Sequence, residues 1–169
     1  MGMRIKIISG AALVMESYEP GAPARSDNAK ALVASLREAD GVLISSPSYH
    51  GSIPGLLKNA IDYTEDMRGD DRPYFDGRAV GCIVCADGAQ ALGSTLFTLR
   101  TIILALRGWP TPYAVALNSA LKPFEANGNI NDIEVAKQLQ MVVSQVVEFS
   151  QRTQIARAAE AAPTKIGVQ

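Results

Sequence analysis

Residues 45–62, SSPSYHGSIPGLLKNAID, carry the densest set of groups able to grip a ligand in this chain. A short apolar run, Val42-Leu43-Ile44, leads into Ser45, Ser46, Pro47, Ser48, Tyr49, His50, Gly51, Ser52 and Ile53, and an amphipathic helical pattern starts at Pro54. Pro47 stiffens the exit from the apolar run, and Gly51 lets a backbone approach a ligand closely. Free amides over 48–53 suit the carbonyls and ring nitrogens of a flat heterocycle, with Tyr49 as an aromatic flank. The loop has few charges, which favours an aromatic ring over a phosphate. An ordinary strand-to-helix turn explains the same residues, and the loop alone leaves both readings open.

A second loop, ADGAQALGS over 86–94, is built of small residues. Ala86, Asp87, Gly88 and Gly93 leave room over a ring face, although a flexible connection would look the same. No Lys follows the glycines, so it is not a Walker loop. Other chemistry finds little support. There is no Gly-x-Ser-x-Gly elbow and no acid partner beside the single histidine, His50, so no catalytic residue and no metal ligand is named. The carboxylates of EDMRGDD read as a solvated acidic run. Cys82 and Cys85 have C-x-x-C spacing, but they fall in a strand-like run where positions three apart face opposite ways, so they read as structural thiols. Visible acid–base groups are scarce, as expected where a cofactor carries the reaction and the protein positions it.

The 169 residues suit one domain. A net charge of −1 leaves no basic footprint for nucleic acid and no polybasic arm for a membrane. No apolar run approaches a spanning helix, the N-terminal apolar stretch is too short for a secretory signal, and the expected location is cytoplasmic.

Strand-like apolar runs alternate with helical patterns. The expected elements are a first strand over 4–8, continuing at 12–15, and a helix capped at Ser26 or Asp27 that runs to 38 with Ala31, Leu32, Leu36 and Ala39 inward. A buried strand over 41–46, a helix with Pro54 at its first position, and a strand over 78–86 come next. The remaining elements are a small-residue loop, a helix over 94–106, a strand over 112–117, and a last helix over 132–152. This alternation predicts a three-layer α/β fold around a parallel sheet, in which ligands bind beyond the carboxyl ends of the strands. Both candidate loops fall at such ends. The domain is placed at 1–155, with 156–169 as a tail that is frayed or in contact with another chain.

The run SPSYHGSIPGLLKNAIDY closely resembles the flavin-loop signature of the NADPH-dependent FMN reductases, a flavodoxin-like family that includes quinone, azo and chromate reductases. Pro47, Tyr49, Gly51, Ser52, Pro54, Gly55, Leu57, Lys58, Asn59, Ala60 and Asp62 match it, while His50 stands where Asn is frequent. The resemblance implies FMN held by residues 46–53, with Ala86, Asp87 and Gly88 near the ring and the NADPH or NADH site. Hydride would pass from the nicotinamide to FMN and on to a flavin, quinone or other small acceptor. A binding or scaffolding module that has lost its cofactor is the rival. Lys58 and Asp62 are carried over as a structural ion pair.

The family opens with a strand, a phosphate loop and a helix before its second strand. Here IKIISG imitates that opening, yet no helix-length segment separates it from ALVMESYEPG, which resembles the second strand. The expectation is a flavodoxin-like sheet truncated at its N-terminal side, without the first strand, phosphate loop and helix. The competing reading makes RIKIISG the first strand with a short phosphate loop. On the truncated reading, Arg4, Ser9 and Gly10 are the nearby substitutes for a phosphate site. A homo-oligomer, dimer or tetramer, is expected because Leu56, Ile61, Tyr63 and Met67 spread around more than one helix face, and because family members tend to complete the pocket across subunits.

Overall fold

A small parallel sheet and four helices organise the chain. The computed structural model describes residues 3–161. Strand β1 (Gly41–Pro47) pairs in parallel with β2 (Ala79–Ala86). The other edge of β2 takes two short strands in line, β3 (Trp109–Pro110) and β4 (Val115–Asn118), both parallel to it. The sheet is therefore three positions wide, with β2 at its centre. It is flanked by α1 (Asp27–Glu38), α2 (Gly55–Asp62), α3 (Ala89–Ala105) and α4 (Ile133–Ala161), the α/β flavodoxin-like arrangement.

Alternation along β2 sorts the core. Val80, Cys82, Val84 and Ala86 face α3 and α2, where Ile53, Ile61, Leu92, Leu99 and Ile103 pack on them. Ile83 and Cys85 face α4 with Val115, Leu117 and Val142. The two thiols thus lie on opposite faces, as their spacing predicts, and burial pushes the Cys82 thiol up to about 11. Two glycines let α4 seat directly on the sheet. A Cβ on Gly81 would stand 2.5 Å from Leu43 Cδ2 and 3.0 Å from Val146 Cγ2, and one on Gly41 would stand 2.6 Å from Val146 Cγ1.

The α1 helix packs its Ala29, Leu32 and Val33 against Ala60, Tyr63 and Met67 of α2 and the 3-10 turn Tyr63–Met67. Arg78 locks the amino end of the sheet. It is essentially fully buried, and its guanidinium donates to the carbonyls of Ala39 (3.0 Å), Arg37 (3.1 Å), Tyr74 (3.1 Å), Asp76 (3.3 Å) and Arg72 (3.4 Å).

Several expected boundaries move. No strand occurs before β1 among the described residues. Residues 3–9 form neither helix nor strand, and Gly10–Leu13 forms a 3-10 turn in place of the continuation. Alternating apolar residues make a strand only where an edge accepts their hydrogen bonds. Here Gly10 (φ 56°) turns the chain, and the Asn28 side-chain amide donates to the carbonyls of Ala11 and Val14. Neither RIKIISG as a first strand nor ALVMESYEPG as a second is realised. In α1, Ala31 faces solvent while Ala29 and Val33 are buried. Pro54 is the N-cap of α2, one residue before the expected position. The α3 helix starts at Ala89, so most of the expected loop is helical, and α4 runs on to Ala161. Residues 162–169 of the expected tail lie outside the described residues.

Candidate functional site

Parallel pairing brings three carboxyl ends to one rim. Pro47 lies opposite Cys85, and Ala86 opposite Asn118, so the loops after β1, β2 and β4 emerge side by side. Both predicted loops meet there.

The first loop is built rigidly. The Ser48 N–H donates to the Cys85 carbonyl at 2.8 Å, continuing the ladder one residue past β1. The Ser48 hydroxyl lies 2.6 Å from Thr95 Oγ1 and donates to the Ala91 carbonyl at 3.1 Å, which ties the loop to the first turns of α3. Tyr49 and Ser52 exchange backbone hydrogen bonds of 3.0 and 3.1 Å across His50 and Gly51. Both central residues are left-handed, at φ 53° and 79°. Two successive positive φ values form a tight reversal of the type I′ kind, in which an L residue is tolerated poorly. Tyr49, His50 and Ser52 are exposed on this turn, whereas Ser46 and Ile53 are buried and reach the rim by backbone only.

The second loop is short. Ala86 is buried at the end of β2, Asp87 and Gly88 are exposed, and Gly88 is the N-cap of α3 with no side-chain cap on the helix. The first amides of α3 are therefore free at the rim. The Asp87 carboxylate accepts from the Ser119 hydroxyl at 2.5 Å, which fixes it to the turn after β4. The Asn118 side chain in turn accepts from the Ala120 N–H at 3.0 Å. A Cβ on Gly88 or Gly93 would meet nothing within 4 Å, so the space above this loop is open.

Sequence reasoning named Ser46 to Ile53 and Ala86, Asp87 and Gly88, and these converge on one rim. It missed Thr95 and Ser119, whose roles depend on contacts across more than 30 residues of chain, and Asn118, which caps the turn after β4. It also grouped Arg4 with Ser9 and Gly10, and the fold separates them. Arg4 pairs with Glu38 at the end of α1, while the turn after Ser9 is held by Asn28 at its start. Asn59 is structural, holding the Tyr18 N–H at 2.7 Å and the Glu16 carbonyl at 2.9 Å. Lys58 and Asp62 form an exposed ion pair at 2.5 Å, the surface kind worth ~0.3–0.5 kcal/mol. Among the described residues no group of three or more His, Cys, Asp or Glu could hold a metal, and no helix is long and apolar enough to cross a membrane.

Two shallow concavities lie away from the rim. One runs between α2 and α3 along Ile61, Glu65, Ile102 and Leu106. The other is bordered by Arg37, Asp70, Arg72 and Arg78, whose charges are already engaged by the Arg37–Asp70 pair and the carbonyls on Arg78. The rim itself is open above Gly88 and Gly93.

Gly51→Ala tests the turn. At φ 79° with a new Cβ 3.1 Å from Ser94 Oγ, the substitution costs ~1–2 kcal/mol of stability, chiefly through the left-handed backbone. Urea unfolding that matched the parent within error would remove this account of the turn.

Comparison with known proteins agrees with the geometry. The family model described as NADPH-dependent FMN reductase matches residues 2–122. An FMN-dependent NADPH-azoreductase of Staphylococcus aureus is 31% identical over 124 residues, covering 72% of this chain and 62% of the relative. The chain thus spans less than two thirds of the curated relatives it matches. Among solved structures, the flavoenzyme NAD(P)H:(acceptor) oxidoreductase FerB of Paracoccus denitrificans superposes with a TM-score of 0.68 at 22% identity, over 85% of this chain and 79% of its own. The apo NADH:FMN oxidoreductase EmoB gives 0.51 at 19% identity, over 75% and 60%. These two likenesses speak for the fold.

Proposed function

We propose that this chain, which belongs to the NADPH-dependent FMN reductase family, is an NAD(P)H-dependent oxidoreductase that uses FMN to reduce a flavin, a quinone or another small acceptor. The observation that carries the reading is the convergence of a rigid, uncharged turn and an uncapped helix start on one rim. When bound, FMN would supply the redox chemistry, two-electron transfer from NADPH or NADH to the acceptor.

The residues of the chain do the holding. Backbone groups over 46–53 fit the polar edge of a flavin ring, because the Tyr49–Ser52 reversal fixes their directions before a ligand arrives. Tyr49 is free to flank the ring. Ala86, Asp87 and Gly88, with the open space over Gly88, leave one ring face accessible to a nicotinamide. Asp87, held by Ser119, is placed to accept a hydrogen bond from a ring or amide N–H.

The fit is poorer at the phosphate end. On the β1 side the rim offers Ser9, Gly10 and the start of α1, whose first turn carries the carboxylate of Asp27. That observation keeps a second reading alive, a binding or scaffolding module without its cofactor. Two free thiols favour a reducing compartment such as the cytoplasm, and self-association to a dimer or tetramer belongs to the same reading. The helix first credited with that association buries Ile61, Tyr63 and Met67 within the chain, and Leu56 remains exposed.

Purified protein mixed with FMN should acquire the visible flavin band after desalting or during titration. It should then oxidise NADPH or NADH with a quinone or azo dye as acceptor. A colourless protein that neither quenches flavin fluorescence nor consumes either nucleotide is the binding module instead.

A further inference from the structure

The α3 helix carries Thr95, Thr98 and Thr101, and one of them breaks the pattern of the others. A threonine inside a helix ordinarily turns its hydroxyl back to the carbonyl four residues earlier. Thr98 does so on Ser94 at 3.0 Å, and Thr101 does so on Phe97 at 2.9 Å. Thr95 is fully buried, and its hydroxyl crosses instead to the loop after β1, 2.6 Å from Ser48 Oγ. The carbonyl it forgoes, that of Ala91, accepts from the Ser48 hydroxyl at 3.1 Å and from the Ser94 hydroxyl at 3.2 Å.

Protons fix the direction of the short contact. Ser48 has one hydroxyl proton, and it goes to Ala91. The proton shared at 2.6 Å is therefore that of Thr95, which donates to Ser48. The reverse direction leaves the Thr95 proton without an acceptor among the described residues, in a buried place where an unmade hydrogen bond is costly. Thr95 shares its buried helix face with Leu92, Leu99 and Ile103, which pack on Val84 and Ala86 of β2. A hydrogen bond in such apolar surroundings is stronger than one in water.

The loop over 46–53 thus leaves the sheet from one fixed point and returns to another. At its start Ser48 is held by its N–H on the Cys85 carbonyl and by its hydroxyl between Thr95 and Ala91. At its end Ile53 is buried in the same apolar cluster as Leu92 and Leu99. Between them the Tyr49–Ser52 reversal carries two left-handed residues, His50 and Gly51. Such a conformation persists only where its surroundings determine it. The amides of Ser48, Tyr49 and Ser52 are engaged within the protein, while those of His50, Gly51 and Ile53 meet no acceptor among the described residues.

We propose that Thr95 is a positioning residue of the ring site: through Ser48 its hydroxyl holds the exposed Tyr49–Ser52 turn in the orientation that meets a planar heterocycle. The ligand in this inference rests on the flavin reading above, whereas the hold on the turn rests on the hydrogen bonds alone. The Ser48 proton is committed to Ala91, so that side chain offers a ligand only lone pairs. The donors presented to a ring are the backbone amides of His50, Gly51 and Ile53.

The test compares the full chain, labelled with nitrogen-15, with Thr95→Val, Thr95→Ser and Thr98→Val. Valine keeps the buried shape without the hydroxyl, and serine keeps the hydroxyl. Thr98→Val removes a hydroxyl of the same helix that does not reach the loop. Amide exchange is read without ligand, and riboflavin binding is read by quenching of its fluorescence. In Thr95→Val the Tyr49 and Ser52 amides should exchange about five- to thirtyfold faster, and riboflavin should bind more weakly by a similar factor. Thr95→Ser should bring both back to within about twofold of the parent, and Thr98→Val should alter neither. A merely structural hydroxyl would lower the melting temperature of Thr95→Val and leave the turn amides and riboflavin binding unchanged. That pattern overturns the proposal, as does a looser turn with unchanged binding or a serine variant no better than valine. A parent that binds no riboflavin, with the turn loosened by valine and restored by serine, overturns the flavin reading and supports the hold of Thr95 on the turn.

Discussion

Riboflavin should bind this chain within about tenfold of FMN, a difference of no more than ~1.4 kcal/mol. On the proposed reading a flavin ring would meet the same rim in both ligands, so only the phosphate would separate them. Where a phosphate is gripped by two charge-assisted hydrogen bonds at ~1.5–3 kcal/mol each, FMN is preferred by ~10²–10⁴-fold. The β1 side of the rim lacks that grip. The amides at the start of α1 face a ligand together with Asp27, whose charge opposes a dianion. The Asn28 amide is occupied by two carbonyls. Arg25 is bidentate on Asp66 at 2.9 and 2.8 Å and stacks 4.6 Å from the Tyr18 ring, so it is not free to turn. Arg4 sits at the far end of α1. Calorimetric titration with each flavin decides the matter. A preference for FMN beyond about a hundredfold would mean that the phosphate is held by groups this account overlooks.

Arg78→Leu lowers stability by about 3–5 kcal/mol, which for a domain of this size moves the melting temperature down by roughly 6–20 °C. Leucine fills much of the volume but donates nothing, and five partly buried carbonyls lose their common donor. Two of them, from Arg37 and Ala39, close α1, and three belong to the connection that feeds β2. Lysine does not rescue the site, because one ammonium cannot reach acceptors spread around a planar fork. The pH behaviour follows from sign. Burial, with Arg72 and Arg157 nearby, lowers the Arg78 pKa from its ordinary value to about 10. A cation with a depressed folded pKa carries its full desolvation cost below that value and sheds it only as pH rises through about 10. Arg78 therefore adds no slope to stability between neutrality and pH 9. Thermal melts of the leucine variant within 2 °C of the parent would show the carbonyls satisfied some other way.

Much of this fold can be read from residue patterns, and the failures have physical causes. β1 and β2 are legible because continuous apolar runs bounded by Asp-Gly and Ser-Pro have few other uses. The α1 helix is legible from Ser26 and its spacing. The start of α3 was misread because Ala89, Ala91 and Gly93 look like a loop, although alanines extend a helix readily once Gly88 opens it. The same bias shortened α4, whose ARAAEA end holds no apolar stripe but high intrinsic propensity. The segment 3–8 shows the opposite error. Its alternation is real, but pairing depends on an edge elsewhere, which local pattern cannot reveal. At the rim, the turn through His50 and Gly51 was visible in composition. Its lock on Thr95 was not, since Ser48 and Thr95 are 47 residues apart. Nothing in DGRAV announces a buried guanidinium.

The glycine-lined back of the sheet also sets an order of events during synthesis. Gly41 and Gly81 expose backbone on the face that α4 covers, and Asp40 waits for a hydrogen bond from Ser150, 110 residues later. A ribosome adding ~5–20 residues per second leaves that face bare for several seconds after β1 and β2 have emerged. The nascent sheet thus spends its early life with one side and one edge uncovered, and closure of the side waits for the final helix. A chain that stops short of Val146 has every strand and most of its rim, yet no means of drying the back of its own sheet.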